Sequence, residues 1–314
     1  MPRERAPAVS VILITKNEAG NLPDCLGHLM TQTFRDFEIV AVDSASTDPT
    51  VEVLRAYGEK IGAEAFTLVA SPVNLTFGEA RNIGIEQARG RIIAFVSADA
   101  YPDAHWLEEM TTSLQEAEIV YGRQLHAPGE MNAATASRGL RYHHFNRDDR
   151  DPTAYASNVN AGFRRDVFTQ QRFDPTVGAS EDVLFTRKAR ARGLKVAYNP
   201  RMIVHHKDVA SFKGELRKHA REGYAGGRLV KDLGLSVAHL AWAVAILAAA
   251  IATPFLPLLG VPLLLGVLYA PTLRRLASVP RSYPAGALAA GVAVSPLFDL
   301  IFVVNYLKGL VKAP

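Results

Sequence analysis

The feature that most constrains this chain is a run of 41 residues, Leu233 to Leu273, that contains no Asp, Glu, Lys or Arg. As a helix this run would extend for ~60 Å, enough to cross a hydrocarbon layer ~30 Å thick twice. A second uncharged run covers Ser282 to Phe298, and its apolar pattern resumes after Asp299. The sequence therefore predicts a membrane region over residues 234–314 with two or three hydrophobic spans, preceded by a globular domain over residues 1–208.

Residues 209–233 lie between these two parts and have a basic amphipathic pattern. Apolar side chains recur every four residues, with Lys and Arg between them. The apolar positions are Phe212, Leu216, Ala220 and Tyr224. Next to a membrane span, such a helix is typical of segments that lie on anionic headgroups or bind a lipid phosphate, and an ordinary surface helix is the alternative. We therefore expect membrane lipids among the partners of this chain.

Charge and cysteine content indicate the location. The formal net charge of +4 suits a membrane surface or anionic ligands and does not suggest a nucleic-acid partner. The single cysteine, Cys25, excludes an internal disulfide and fits a reducing compartment. Basic residues precede the first apolar run and recur after it at Arg274, Arg275 and Arg281. The positive-inside rule then predicts an integral protein of the inner or plasma membrane with its globular domain in the cytoplasm.

The first 208 residues alternate short apolar runs with helical patterns. The runs have the length and composition of buried strands, and the first four are Val9–Ile14, Phe37–Val42, Phe66–Ala70 and Ile92–Val96. Later residues predict helices over 104–114 and 181–192, and strands over 119–121 and 195–198. The pattern weakens from Gln124 to Tyr155, where we expect loop and short helix. This alternation predicts an α/β domain with a mostly parallel sheet and flanking helices, followed by an all-α membrane region.

One carboxylate follows the apolar run that ends at Val96. Asp99 stands in the turn from Ser97 to Pro102, just past the C-terminal end of a predicted strand. Ligands of open α/β sheets collect outside such strand ends, although an Asp here could equally begin the next helix. Four more polar clusters occur at element ends: Thr15–Glu18, Asp43–Asp48, Phe77–Gly84 and Ser180–Asp182. Helix capping explains each one singly, so the order and spacing of the clusters are the informative features.

In this order the clusters resemble the motifs of the family 2 inverting glycosyltransferases. The matching segments are VSVILITKNE from Val9, VDSASTDPT from Val42, ARNIG from Ala80, FVSADAYP from Phe95 and SEDVLFTR from Ser180. The resemblance covers residues 8–206. It implies a GT-A fold with a Rossmann-like sheet, a nucleoside-diphosphate-sugar donor, and transfer of a hexosyl or deoxyhexosyl group with inversion.

The resemblance also implies roles for particular residues. Asp182 would be the general base that deprotonates the acceptor, and Glu181 is a less favoured candidate for that role. Asp43 would accept hydrogen bonds from the base of the nucleotide, and Arg81 would help to stabilise the departing diphosphate. The other residues of the nucleotide-sugar pocket would be Thr15, Asn17, Glu18, Ser46 and Ala98.

The metal-binding turn departs from the family pattern, which usually has two carboxylates as Asp-X-Asp. Here Ser97 replaces the first of them, as in some rhamnosyltransferase-like members. Mg²⁺ or Mn²⁺ would then be held by Asp99, diphosphate oxygens and water, since Mg²⁺ needs only one or two carboxylates beside substrate phosphates. By resemblance, His206 is a further candidate ligand. Because His205 and His206 are adjacent on a strand, their side chains point to opposite faces, and at most one of them faces the site.

These observations predict a membrane-anchored transferase that moves a sugar to a lipid-linked or membrane-proximal glycan, or to polyprenyl phosphate. The processive synthases of the family carry Gln-X-X-Arg-Trp after the catalytic Asp, and this sequence has no such motif, which favours single transfers. Asn158 and Asn160 are candidates to contact sugar hydroxyls. One alternative is a non-catalytic nucleotide-binding scaffold of a polysaccharide assembly complex, which the replacement at Ser97 favours. A second alternative is a nucleotidyltransferase. Such an enzyme would carry a Gly-rich loop after its first strand, and the residues after Ile14 match that loop poorly.

Overall fold

The computed structural model describes residues 6–127, 132–134, 136–137, 156–207, 211–233, 237–254, 257–276 and 285–311. They form two compact units. The α/β unit comprises residues 6–127 and 156–207, and the helical unit comprises the others. Most of the loop predicted between Gln124 and Tyr155 lies outside the described residues.

The described part of the α/β unit contains eight strands and six helices. The strands are β1 (Val9–Thr15), β2 (Phe37–Ser44), β3 (Phe66–Ser71), β4 (Ile92–Ser97), β5 (Ala100–Pro102), β6 (Ile119–His126), β7 (Asn160–Arg164) and β8 (Val196–His206). The helices are α1 (Leu22–Met30), α2 (Thr50–Ile61), α3 (Phe77–Gln87), α4 (Trp106–Ser113), α5 (Val167–Gln170) and α6 (Glu181–Ala191). The start of α3 is fixed by a capping box, in which Thr76 and Glu79 each bind the other's main-chain N–H.

The strands form one sheet in the order β3-β2-β1-β4-β7-β6-β8-β5. β1 pairs in parallel with β2 and β4, and β2 pairs in parallel with β3, so the carboxyl ends of these four strands share one edge. β7 is antiparallel to β4 and β6. The chain moves outward from β1 to β3 and returns to β4 on the other side of β1, which creates a switch point between β1 and β4. The predicted α/β fold with a mostly parallel sheet is confirmed.

Helices cover both faces of the sheet and bury it. Side chains of α1, α2 and α4 pack in the core on one face, and those of α3, α5 and α6 pack on the other. Every residue of β2 is buried, as expected for a strand with parallel neighbours on both sides. Trp106 is fully buried and donates a hydrogen bond from Nε1 to Oδ1 of Asn160, 2.8 Å away. The core therefore holds the carboxyl edge of the sheet on a rigid support.

Several boundaries differ from the predictions. The stretch Ala100–Pro102 was predicted as a turn, but it forms β5 and pairs antiparallel with β8. β8 is a single strand of 11 residues, where the sequence predicts two short strands, residues 195–198 and residues 202–204 before the two histidines. β6 continues to His126, past the predicted end, because an irregularity between Gly122 and Arg123 keeps it paired with β8. These pairings join residues that are 77 to 106 positions apart in the sequence, so local patterns do not reveal them.

The helical unit contains α7 (Phe212–Arg228), α8 (Val230–Leu233), α9 (Val237–Ala252), α10 (Pro257–Leu276) and α11 (Ala285–Val311). Of the described helices, α11 alone is long and apolar enough to cross a membrane, over Gly286–Val311. Leu240–Ile251 and Val261–Leu273 form shorter apolar helices. Residues 234–236, 255–256 and 277–284 lie outside the description, and the number of spans stays a prediction.

Helix α7 packs on α11 through a row of small residues. A Cβ atom at Gly223 would lie 2.2 Å from the carbonyl oxygen of Phe302, and one at Gly227 would lie 2.0 Å from that of Tyr306. The two glycines are four residues apart and allow close backbone approach, as in Gly-X-X-X-Gly helix pairs. The buried side chains of α7 include Glu215 and His219, so the packed face differs from the predicted apolar row.

Candidate functional site

Three of the five polar segments predicted as site residues, those that follow β1, β2 and β4, meet at the carboxyl edge of the sheet. Thr15 pairs with Asp43 in the register of β1 and β2, and Ile14 pairs with Ser97 in the register of β1 and β4. The three strands therefore end together, and their following loops start from the same edge. The switch point between β1 and β4 lies there, which is where doubly wound sheets bind ligands.

Asp43 is the centre of a hydrogen-bond network that joins the loops after β1 and β2. Its carboxylate is buried and accepts from the Thr15 hydroxyl at 3.0 Å, from the Ser46 main-chain N–H at 2.9 Å and from the Ser46 hydroxyl. Three donors satisfy much of the capacity of a carboxylate, so this network fixes the loop after β2. Thr15, Asp43 and Ser46 are brought together as the sequence predicts, and their contact with a nucleotide stays a prediction.

Asn17 and Glu18 hold the loop after β1 against the same segment. The main-chain N–H of Asn17 donates to the Ser46 hydroxyl at 2.8 Å, and its side-chain oxygen accepts from the N–H of Thr47 at 2.8 Å. The main-chain N–H of Glu18 donates to the Thr50 hydroxyl at 2.8 Å. Thr47 and Thr50 are not among the predicted site residues. The polar run after β2, in which Thr47 lies and which Thr50 follows, is the sequence feature that could have identified them.

The carboxyl group of Glu18 lies in a partly buried, acidic environment. Burial raises its pKa, a hydrogen bond from Asn21 lowers it, and the negative charges of Asp99 and Asp48 raise it further. His206 has a smaller, opposite effect on this pKa. Glu18 is thus electrostatically coupled to the predicted metal-binding residues.

Asp99 and His206 lie beside each other, as the sequence predicts. The Nε2 atom of His206 is 3.3 Å from Oδ1 of Asp99. The pairing of Ala100 with His206 in β5 and β8 fixes this geometry, and the N–H of Lys207 donates to the main-chain oxygen of Asp99 at 2.7 Å. The neighbouring His205 instead contacts Asp103, with 3.2 Å between Nε2 and Oδ1. Alternation along β8 therefore sends the two imidazoles to different carboxylates.

The donor set around Asp99 is small. Within the described ranges, no group of three or more His, Cys, Asp or Glu side chains is arranged to hold a metal ion. One carboxylate and one imidazole fit a divalent cation that takes its remaining ligands from phosphate and water. Ala98, the residue between Ser97 and Asp99, is buried and contributes a fixed backbone position.

A buried charge cluster forms where α3 meets α6. Arg81 and Glu181 make an ion pair, and both side chains are at least nine-tenths buried. The guanidinium also lies 5.5 Å from the ring centres of Phe77 and Phe173. Arg81 is therefore paired with Glu181 in this structure, and a contact between Arg81 and the diphosphate stays a prediction.

Asp182 lies next to this ion pair at the start of α6. Burial and, to a smaller extent, the charge of Glu181 raise the pKa of Asp182 from 3.8 to about 7, although the charge of Arg81 lowers it. Main-chain N–H groups of Val183 and Asn158 donate to its carboxylate and also lower this pKa. A carboxyl group with a pKa near neutrality can accept a proton from a substrate and later release it, which suits a general base.

Family and structural comparisons agree with this architecture. The family model "Glycosyl transferase family 2" matches residues 10–171. The glycosyltransferase AglE of Haloferax volcanii is 30% identical over 227 residues, covering 69% of this chain and 72% of that protein. A PGL/p-HBAD biosynthesis glycosyltransferase of Mycobacterium bovis is 32% identical over 121 residues, 37% of this chain and 46% of that protein.

Two solved structures share the fold at low sequence identity. The mannosyltransferase PcManGT from Pyrobaculum calidifontis, in complex with GDP-Man and Mn²⁺, has a TM-score of 0.61 at 20% identity, covering 100% of this chain and 90% of that chain. S. aureus TarS 1-349 with UDP-GlcNAc has a TM-score of 0.53 at 18% identity, covering 97% of this chain and 90% of that chain. The family match spans just over half of the sequence and includes the loops after β1, β2 and β4. This chain belongs to glycosyl transferase family 2 and is a glycosyltransferase.

Proposed function

We propose that this glycosyltransferase moves one hexosyl or deoxyhexosyl group at a time from a nucleoside-diphosphate-sugar to a membrane-associated acceptor, with inversion. The observation that carries the mechanism is the environment of Asp182, a half-buried carboxyl group with a raised pKa beside the Arg81–Glu181 ion pair. Such an environment favours a proton acceptor that works near neutral pH.

In the proposed reaction Asp182 accepts the proton of an acceptor hydroxyl while the oxygen of that hydroxyl attacks the anomeric carbon of the donor sugar. The new bond forms on the face opposite the leaving group, and the electron pair of the broken carbon–oxygen bond leaves with the nucleoside diphosphate. If the acceptor is a phosphate such as polyprenyl phosphate, it is already ionised at neutral pH, and Asp182 then orients it instead.

The donor is proposed to lie across the loops after β1, β2 and β4. Asp43 and its partners Thr15 and Ser46 would hold the nucleoside, and the β4–β5 turn would face the diphosphate. Asp99 and His206 would hold Mg²⁺ or Mn²⁺, which neutralises charge on the diphosphate. Structural relatives bound to GDP-Man with Mn²⁺ and to UDP-GlcNAc support a nucleotide-sugar donor of this kind.

The helical unit is proposed to anchor the enzyme in a membrane, with the α/β unit on the cytoplasmic side and a lipid-linked glycan or polyprenyl phosphate as acceptor. The length and apolar composition of α11 support the anchor. Exposed cations on one side of α7 support contact with anionic headgroups: Lys213, Arg217, Arg221 and Arg228. Helix α7 thus carries the kind of positive charge that is expected on a cytoplasmic flank.

One alternative rests on Ser97, which stands where the family usually has a carboxylate. A nucleotide-binding scaffold of a polysaccharide assembly complex would keep the pocket and lose turnover. The retained Glu181–Asp182 pair, with its raised pKa at Asp182, favours the enzyme.

Diphosphate release by the full chain in detergent, from a panel of nucleotide sugars that includes GDP-mannose and UDP-GlcNAc, tests the proposal. We expect Asp182→Asn to lower kcat by about 10²- to 10⁴-fold, the usual contribution of a general base, with nucleotide affinity unchanged. Asp166→Asn, at an exposed position before α5, is the matched control. Wild-type turnover by Asp182→Asn would contradict the role of Asp182, and an inactive wild type that binds nucleoside diphosphate would favour the scaffold.

A further inference from the structure

Asn158 is held beside the proposed general base by two hydrogen bonds to α6. The N–H of Asn158 donates to the carboxylate of Asp182, and the N–H of Ala156 donates to the Thr186 hydroxyl at 3.0 Å. Asp182 and Thr186 are four residues apart and lie on one face of the helix. Two residues of extended chain span ~6.6 Å, which matches the ~6 Å rise of four helical residues. The segment before β7 is therefore fixed along the inner face of α6.

The side chain of Asn158 is buried, and no other side chain or main-chain group in the described part of the chain forms a hydrogen bond with it. The residue is 3% exposed, and among the described residues neither Nδ2 nor Oδ1 has a partner. More than nine in ten buried polar groups in folded proteins are paired, because an unpaired buried amide loses its hydration without compensation. A group of this kind, in a residue whose main-chain N–H binds a proposed catalytic carboxylate, indicates a ligand that supplies the missing hydrogen bonds.

Asn160, two residues later, shows what a structural amide looks like in the same segment. Its Nδ2 donates to the main-chain oxygens of Arg123 and Met202, each at 2.8 Å, and its Oδ1 accepts from Trp106. Its three bonds join β6, β8 and α4, so its amide is committed to the fold. This arrangement argues against the sequence prediction that Asn160 contacts sugar hydroxyls and leaves Asn158 as the candidate.

We propose that the carboxamide of Asn158 binds a carbohydrate hydroxyl next to the hydroxyl on which Asp182 acts. An ionised carboxylate only accepts hydrogen bonds, whereas a carboxamide donates from Nδ2 and accepts at Oδ1. Because the main-chain N–H of Asn158 binds the carboxylate of Asp182, the two residues can bind different hydroxyls of one sugar ring. The hydroxyl belongs either to the donor sugar or to the acceptor. This assignment rests on the proposed function, and it makes Asn158 a residue that determines sugar specificity.

The test compares Asn158→Leu with Asn160→Leu in the full chain. Leu is close to Asn in size and removes the polar atoms. At Asn158 we expect an unfolding midpoint equal to or above that of the wild type, because no native hydrogen bond of the side chain is lost, together with a fall of at least tenfold in kcat/KM for the best donor. At Asn160 we expect a clearly lower midpoint, because three hydrogen bonds are lost.

Calorimetric binding of that donor and of its nucleoside diphosphate distinguishes the two sources of the hydroxyl. The sugar contributes the difference between the affinity for the donor and the affinity for its nucleoside diphosphate. If this difference is smaller in Asn158→Leu than in the wild type, the hydroxyl belongs to the donor. If the difference is unchanged and turnover is reduced, the hydroxyl belongs to the acceptor. Wild-type turnover in Asn158→Leu, or a midpoint as low as that of Asn160→Leu, would overturn the assignment. A wild-type chain that turns over no donor would overturn the proposed function itself.

Discussion

Replacing Glu181 by Gln tests whether the ionisation of Asp182 controls turnover. In the wild type, burial and the charge of Glu181 together raise the pKa of Asp182 to about 7, against the opposing charge of Arg81. The substitution removes the repulsion and keeps an amide oxygen that can accept a hydrogen bond from Arg81. The positive charge of Arg81 is then balanced by Asp182, and the pKa of Asp182 falls.

The size of this fall follows from the proximity of the two carboxyl groups. Two unit charges on the order of 6 Å apart, at an effective dielectric constant of ~20, interact by ~3 kcal/mol. One pKa unit corresponds to ~1.4 kcal/mol, so the pKa of Asp182 should fall by about two units. A general base works when deprotonated, so kcat/KM rises with pH through the pKa of the free enzyme. The rise should therefore move from about pH 7 in the wild type to about pH 5 in Glu181→Gln.

The assay is the pH dependence of kcat/KM for diphosphate release, measured on both sides of neutrality for the two chains. The plateau should be lower in Glu181→Gln, because a carboxylate with a lower pKa is a weaker base. Glu52→Gln, at an exposed position in α2, should leave the profile unchanged. A profile of Glu181→Gln that still rises near pH 7, or rises at higher pH, would refute the argument that Glu181 sets the pKa of Asp182.

Two further substitutions test the metal site and the helical unit. Asp99→Ala should raise the Mn²⁺ concentration for half-maximal activity by at least about tenfold, since Asp99 is the only carboxylate proposed to bind the ion directly, and an unchanged Mn²⁺ titration would exclude that role. Gly227→Ala should lower the thermal midpoint, at a cost of about 1–3 kcal/mol, because its Cβ would lie 2.0 Å from the oxygen of Tyr306. Gly266→Ala is the matched control, because a Cβ atom at Gly266 would have no atom within 4 Å. Equal thermal midpoints for Gly227→Ala and Gly266→Ala would contradict the close packing of α7 on α11.

The sequence predicts the strands and the site residues where both depend on local patterns. The runs at β1, β2 and β4 are apolar and buried, and a polar residue marks the end of each. Parallel pairing then places Thr15, Asp43 and Ser97 on one edge, with no further information needed. The strand ends and the loops after them could therefore be assigned from single segments.

Contacts between distant segments could not be predicted in the same way. Arg81 and Glu181 are each recognisable as site residues, but their ion pair joins positions 100 residues apart. The same holds for Glu38, which accepts hydrogen bonds from Ser10 and Arg89 at the opposite end of the strands. In both cases a buried charge is tolerated only because its partner arrives from another element, and that depends on the complete fold.

Backbone conformation at the carboxyl edge is a second property that local preference does not determine. Among the described residues other than Gly, positive φ angles occur at Asn17, Ala45 and Ser180, with values of 57°, 52° and 65°. They stand after β1, after β2 and directly before Glu181. Asn adopts this region readily, but for Ala and Ser it costs about 1–2 kcal/mol each, so no propensity would select them.

The surrounding hydrogen bonds explain why these conformations persist. The residue after Ala45 is Ser46, whose N–H and hydroxyl both bind Asp43, and the Asn17 N–H binds the Ser46 hydroxyl. The turn at Ser180 begins α6 with the two carboxyl groups in its first turn. Strained residues that the neighbouring structure holds in place are characteristic of functional sites. Within the described chain they occur only in the three segments that carry Asn17, Asp43 and Asp182, which supports the functional role proposed for each of these segments.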